Sequence, residues 1–201
     1  AFKFMTFNDS SSFDHLQRHN YYSLIWAKHA TGKVRADFKE YDLSSNSLFA
    51  FSPYQPFVFL AENLHGTALH FHPDFFCIHK HQDEIACNGV LFNNIYEPPF
   101  ISVTEDLRLT LDNVLAQIKN EIQQPALAQH ELLVSYLKIF LINCSRLKAE
   151  QTPRAGTDAA ADRARGGGCE KSQAHRLGRG TGGRRQQRMA GEDVLQAFLL
   201  H

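Results

Sequence analysis

Residues 21–38 read YYSLIWAKHATGKVRADF, and this run decides the fold class. Its first part, 21–27, is rich in aromatic and β-branched side chains, which suit a pleated and largely buried surface. Thr31-Gly32 punctuates it. Val34, Ala36 and Phe38 then alternate with Arg35, Asp37 and Lys39, the period-2 signature of a strand with one dry face. Working outward, 44–47 form a turn and 48–51 and 57–60 read as further strands. Between those strands, Ser52-Pro53-Tyr54-Gln55-Pro56 carries two prolines that cannot serve a central ladder. Residues 62–66 close a hairpin into 67–71. Apolar runs at roughly ten-residue spacing with turn residues between them predict a sandwich or barrel of antiparallel strands.

After Asp74 the period changes. Ser102, Thr104 and the acidic pair Glu105-Asp106 mark a helix start, with negative charge at the positive end of the dipole. Leu107, Leu111, Val114, Leu115, Ile118 and Ile122 follow at helical spacing. Pro125 breaks the run, and a second helix is predicted over about 127–148. Its residues Leu133, Leu137, Phe140, Cys144 and Leu147 step by four, three, four and three, a heptad-like seam. The opposite face (Leu132, Tyr136, Ile139) is also apolar, so this helix is expected to need two partners.

With 201 residues and 43% apolar side chains, the chain can build one domain with a real core. Its 16 Phe, six Tyr and one Trp exclude a disordered solvating polymer. No apolar stretch reaches the roughly 20 residues of a membrane helix, and no secretory leader is visible, so the cytoplasm is the expected compartment. Cys77, Cys87, Cys144 and Cys169 form no CxxC pair and read as reduced thiols. Starting at Ala1 rather than Met, the chain reads as a fragment.

The zero net charge conceals an asymmetry. Residues 152–201 hold nine Lys/Arg against five Asp/Glu, a net +4, while the rest is −4. The acidic body is a poor grip for phosphates, because Lys and Arg supply most of the affinity for nucleic acid. Residues 152–201 also hold nine of the twelve glycines and one of the 23 aromatics, Phe198. Such a segment cannot offset the entropy of ordering, and a disordered tail is predicted over 151–201.

Five histidines at 65, 70, 72, 79 and 81 raise a metal hypothesis, and His70 and His72 alternate on a strand. Cupin metal enzymes use such an HxH pair. Their pattern continues with a Glu three or four residues on, whereas here Pro73-Asp74-Phe75-Phe76-Cys77 follows. The preferred reading has no metal and no cofactor, with histidines that line a pocket or stay hydrogen-bonded. No nucleophile–base arrangement or phosphate-cradling glycine loop can be read from spacing, so an enzyme is not expected. The alternative is a metal-dependent cupin enzyme using His70 and His72.

The segment 70–96, HFHPDFFCIHKHQDEIACNGVLFNNIY, and the helix ELLVSYLKIFLINCSRLK resemble the N-terminal half of AraC-type transcription regulators from Bacteroidetes. DFKEYDL and LFAFSPYQPFVF are similar to the cupin barrel of the same proteins. The resemblance covers about residues 10–150. It implies an α+β chain: a cupin-like antiparallel barrel over 10–100 that senses a small effector, then two antiparallel helices over 101–150 that dimerise. A separate C-terminal module of two helix-turn-helix motifs reads DNA in that family. That module would need on the order of a hundred more helix-forming residues, yet only fifty remain, resembling translation in a wrong reading frame. Strand parity nominates Tyr22, Leu24 and Trp26, with Ala68 and His70, as ligand-binding residues. Leu133, Leu137, Phe140 and Leu147 are the dimer-interface candidates. The expected partners are a small-molecule effector and a second copy, with DNA reached only through the missing module.

Overall fold

The computed structural model describes residues 1–78, 80–81, 90–94 and 97–152. The predicted tail from 153 onward, and much of the 70–96 segment that carries the family resemblance, lie outside them. The described chain is an α+β fold. Its elements run β1 (Phe2–Phe7), β2 (Tyr22–Ala36), β3 (Lys39–Leu43), β4 (Ser47–Phe51), β5 (Phe57–Phe71), β6 (Phe100–Ser102), α1 (Glu105–Gln123) and α2 (Gln129–Gln151).

All strand pairs are antiparallel, and the sheet order is β1-β5-β2-β4-β6, with β3 on the far half of β2. The expected barrel is therefore corrected to an open sheet, because β1 and β6 form its two margins and do not pair. The sheet nevertheless bends over its own concave face. Phe49 and Phe51 of β4 belong to one end of the β2–β5 ribbon, Phe57 and Phe59 to the other, yet Phe51 stacks on Phe57 at 3.9 Å. Phe49 meets Phe59 edge-on at 5.1 Å. With Phe7, Phe13, Ile25, Val34 and Leu64 they form one buried cluster that fills the concavity.

The bend explains why two expected turns are absent. β2 runs straight through Thr31-Gly32, with register shifts between Ala27 and His29 and between Thr31 and Gly32. Bulges of this kind curve a strand without ending it, and Gly32 supplies the positive φ of 129°. Likewise β5 runs through 62–66, where a hairpin was expected. Gly66 pairs opposite Ala27, and a Cβ there would meet the Trp26 carbonyl oxygen at 1.9 Å. The true turn lies at Asp37 (φ 53°), which leaves Phe38 fully exposed, where alternation had placed it on the dry face.

The helices match the sequence closely. Glu105 and Asp106 occupy the first turn of α1, and Leu111, Val114, Leu115 and Ile118 are buried. They cover the convex face of the sheet, in a second core shared with Tyr22, Leu24, Trp26 and Phe71. The end of α2 is tied to the edge strand. Lys148 Nζ donates to the carbonyls of Pro98 (2.8 Å) and Phe100 (3.0 Å), and the Gln151 side chain brackets Ser102, donating to its oxygen and accepting from its N–H. That bracket occupies an edge otherwise open to another strand.

Because the close approach at Gly66 is to backbone, which cannot step aside, Gly66→Ala should destabilise the fold by about 1–3 kcal/mol. Urea unfolding measures it, and an unchanged midpoint would contradict the packing described.

Candidate functional site

Strand pairing sorts the nominated pocket residues. Directly opposed residues share a face, and β2 and β5 pair Ser23 with His70, Leu24 with Leu69, and Ile25 with Ala68. Ala68 and His70 thus lie on the concave side with Ser23 and Ile25. Tyr22, Leu24 and Trp26 project to the other side, into the helix-facing core. The five nominated residues do not converge, and only His70 borders a cavity.

That cavity, about 310 Å³, opens at the rim of the concave face and is lined by Lys3, Asn20, Tyr21, His70 and His72 with the chain near Ala1 and Phe71. Register places Lys3, His70 and Ser23 in one row across three strands. His70 is 7% exposed. Its Nδ1 lies 3.0 Å from Ser23 Oγ, and the Tyr21 ring packs against it edge-on at 5.1 Å. Tyr21 in turn stacks on His19 at 4.5 Å. Gln17 Oε1 accepts a 2.7 Å hydrogen bond from His19 Nε2, and the Gln17 amide nitrogen donates to His15 Nε2 at 2.9 Å. Gln17 is anchored in its turn, since its backbone exchanges hydrogen bonds with Phe57.

The cavity-lining side chains that parity reasoning missed are Lys3, Asn20 and Tyr21, with His19 stacked on Tyr21. A signal was present: His15, Gln17, His19, Tyr21 and Ser23 are polar at every second position leading into β2. His72 lines the same cavity as His70 but lies just past the end of β5, where its Nδ1 pairs with Asp74 at 3.2 Å. Among the described residues no three His, Cys, Asp or Glu side chains converge on a metal-sized site. A second cavity, about 280 Å³, lies beside the 52–56 loop. Its polar groups engage one another: Gln55 donates to Asp37 at 2.8 Å and accepts from Ser52 N–H at 3.0 Å.

The nominated dimer residues are spent inside the chain. Leu133, Leu137, Phe140 and Leu147 are 6, 0, 1 and 7% exposed, in the core under the sheet. The seam reads the packing of α2 on its own domain, and the apolar side chains left outside are Leu132, Ile139 and, in part, Tyr136. Cys77 and Cys144 are free thiols, and burial pushes the Cys144 thiol upward, as expected of an inert core group.

Burial, then repulsion from His19 and Lys3, pushes the His70 imidazole down to about 4. A histidine whose pKa is depressed in the fold binds its proton more readily when unfolded. Its stabilising share is complete above about pH 6.5 and is lost as pH falls toward 4. Urea unfolding at pH 7.5 and pH 4 should show a loss of about 3 kcal/mol from this group. His70→Gln should lack that component, and an identical pH profile in the variant would refute the assignment.

No protein-family model matches the chain, and no curated protein matches it. Several solved structures are similar to it, among them the following three. One is the AraC-like transcriptional activator CuxR, with 10% identity over 64% of this chain and 43% of that one, at a TM-score of 0.44. Another is ToxT from Vibrio cholerae O395 bound to (E)-4-(8-methylnaphthalen-1-yl)but-3-enoic acid, with 14% identity, 74% and 57% coverage, and a TM-score of 0.44. The third is a P21 crystal form of ToxT from Vibrio cholerae, with 15% identity, 78% and 60% coverage, and a TM-score of 0.38. The chain spans 43 to 60% of their length. Among the described residues no helix is long and apolar enough to cross a membrane.

Proposed function

We propose that this chain is the effector-sensing and dimerising part of an AraC-type transcription regulator and does not itself bind DNA. The cavity at His70 carries the reading. A nearly dry histidine, one ring nitrogen held by Ser23, lines a hole of a size suited to a small molecule. Direct contact falls to His70. Ala68 is buried on the same face in the phenylalanine-filled core, while Tyr22, Leu24 and Trp26, on the other side of the paired strand, pass displacement to the helices. An effector that favours one arrangement of strand and helix shifts the population toward it.

In this proposal residues 10–100 sense, 101–150 dimerise, and 151–201 contribute no DNA reader, for their sequence has no recognition-helix pattern. The second copy docks on the outer face of α2, through Leu132, Tyr136 and Ile139, because the inner seam is occupied. The resemblance of this helix to one that pairs in AraC-type regulators supports a second copy as the occupant.

Thermal or urea unfolding in the presence of a mixed library of neutral, cationic and anionic metabolites tests the sensing role. A ligand at a hundred times its dissociation constant should add about 2.7 kcal/mol, and a library without any stabilising compound would overturn it. For pairing, Leu132→Asp with Ile139→Asp should elute as a monomer on gel filtration where the wild type elutes as a dimer. Equal elution volumes would remove the interface. A gel-shift with genomic promoter fragments should show no salt-resistant complex, and specific retention would reverse the claim about DNA.

A further inference from the structure

We infer that the His70 cavity takes the carboxylate of a small organic acid, held by Lys3, His70 and Tyr21. This rests on the effector-sensing reading and names its ligand class. The first ground is the charge census of the wall. Lys3, His70 and His72 line the cavity, and no Asp or Glu does. The nearby carboxylate of Asp74 is 88% exposed and already paired with His72. Lys3, opposite His70 in the β1–β5 register, has no acidic partner among the described residues. His19 adds a further protonatable ring behind Tyr21.

The second ground is an unanswered donor. Nδ1 of His70 is committed to Ser23, and Nε2, to which no described residue bonds, is left for the cavity that the ring lines. An anionic oxygen there replaces a bond to water with a charge-assisted one. When the Ser23 hydroxyl donates to Nδ1, Nε2 carries the proton and points a donor at the ligand. Burial holds the Tyr21 phenol upward, so its hydroxyl stays protonated and can donate too.

Three donors of this kind suit the two oxygens of a planar carboxylate. A phosphate would find no Arg on the wall and no helix N-terminus. Binding is also coupled to protons. Lys3 from β1, His19 and Tyr21 ahead of β2, and His72 after β5 are the titratable groups around His70. Burial first, then His19 and Lys3, disfavour its protonation in the empty site, and an anion beside the ring offsets the repulsion from the last two. The complex therefore binds more protons than its parts, and affinity rises as pH falls toward the range in which His70 titrates.

Isothermal titration of the full chain with benzoate, benzamide and inorganic phosphate tests the assignment. Benzoate should bind, and benzamide, alike in shape but uncharged, should bind about 10- to 100-fold more weakly, the worth of one charge-assisted hydrogen bond. Lys3→Met should weaken benzoate by a similar factor and Lys3→Arg should largely restore it. Lys3 is exposed, so neither variant threatens the fold. Titrations in two buffers of different ionisation enthalpy should show proton uptake. Benzamide binding as tightly as benzoate would overturn the carboxylate while leaving effector sensing intact. Tighter phosphate binding, no benzoate binding, or an unchanged affinity in Lys3→Met would each also overturn it. Failure of the whole metabolite library is the separate result that removes the sensor.

Discussion

Six consecutive residues of β2, from Tyr22 to Ala27, are buried, and an antiparallel strand reaches that state only when something covers both its faces. On one side the covering is the phenylalanine-filled concavity, on the other the two helices. The far half of β2 is covered on one face alone, so its burial alternates. This unequal demand shapes the chain around it. The sheet has to bend to bring Phe57 and Phe59 over Phe49 and Phe51, and the bend requires bulges where regular turns would have ended the strand. It also requires a glycine at 66, where the Trp26 carbonyl leaves no room for a side chain. Helix α2 has to spend its heptad seam inward, since the convex side of β2 would otherwise stand in water.

That double burial also marks where the sequence was legible. Helix periodicity depends on one face only, and α1 could be read from its acidic first turn to Ile118 because a helix of that length repeats its pattern several times. The strands β2, β4 and β5 could be located, but β2 and β5 could not be delimited. Thr31-Gly32 and 62–66 carry turn residues, and nothing local distinguishes a glycine that ends a strand from one that bends it. Phe38 broke its alternation for the same reason: Asp37 adopts a left-handed turn that period-2 reasoning has no means to register. β1 was missed although Asn8-Asp9-Ser10 punctuates its end, because its pairing partner, β5, lies some sixty residues away and nothing local assigns FKFMTF to a sheet.

The candidate site was half legible. His70 stood out as a polar residue in an apolar strand, and its partner across the ladder is the small polar Ser23. Parity also admitted Tyr22, Leu24 and Trp26, because it groups residues by face and a strand buried on both sides gives no polar face to say which one is inward. The polar stripe from His15 to Ser23 was the better guide. It is continuous in the structure as a chain of contacts, from His15 through Gln17 and His19 to Tyr21 and His70. Composition cannot rank such a stripe, since each member alone is an ordinary surface residue. Only pairing with β5, which brings His70 beside it, makes the stripe a wall.

A single strand therefore presents alternate residues to two environments that a signal would have to connect. Ser23 holds the ring of His70 on the concave side, and its neighbours Tyr22 and Leu24 pack in the core that α1 and α2 complete. Both cores are filled with rigid aromatic side chains and contain few groups that could absorb a displacement without moving their neighbours. A shift of β2 by a fraction of an ångström at Ser23 would be passed to Leu24 and Trp26 and so to Leu137 and Phe140, because these residues share one contiguous core. The far side of α2 is where such a movement reaches solvent. Under the proposed reading, the packing that spends the heptad seam inside the chain is what would join the exposed face of that helix to the cavity.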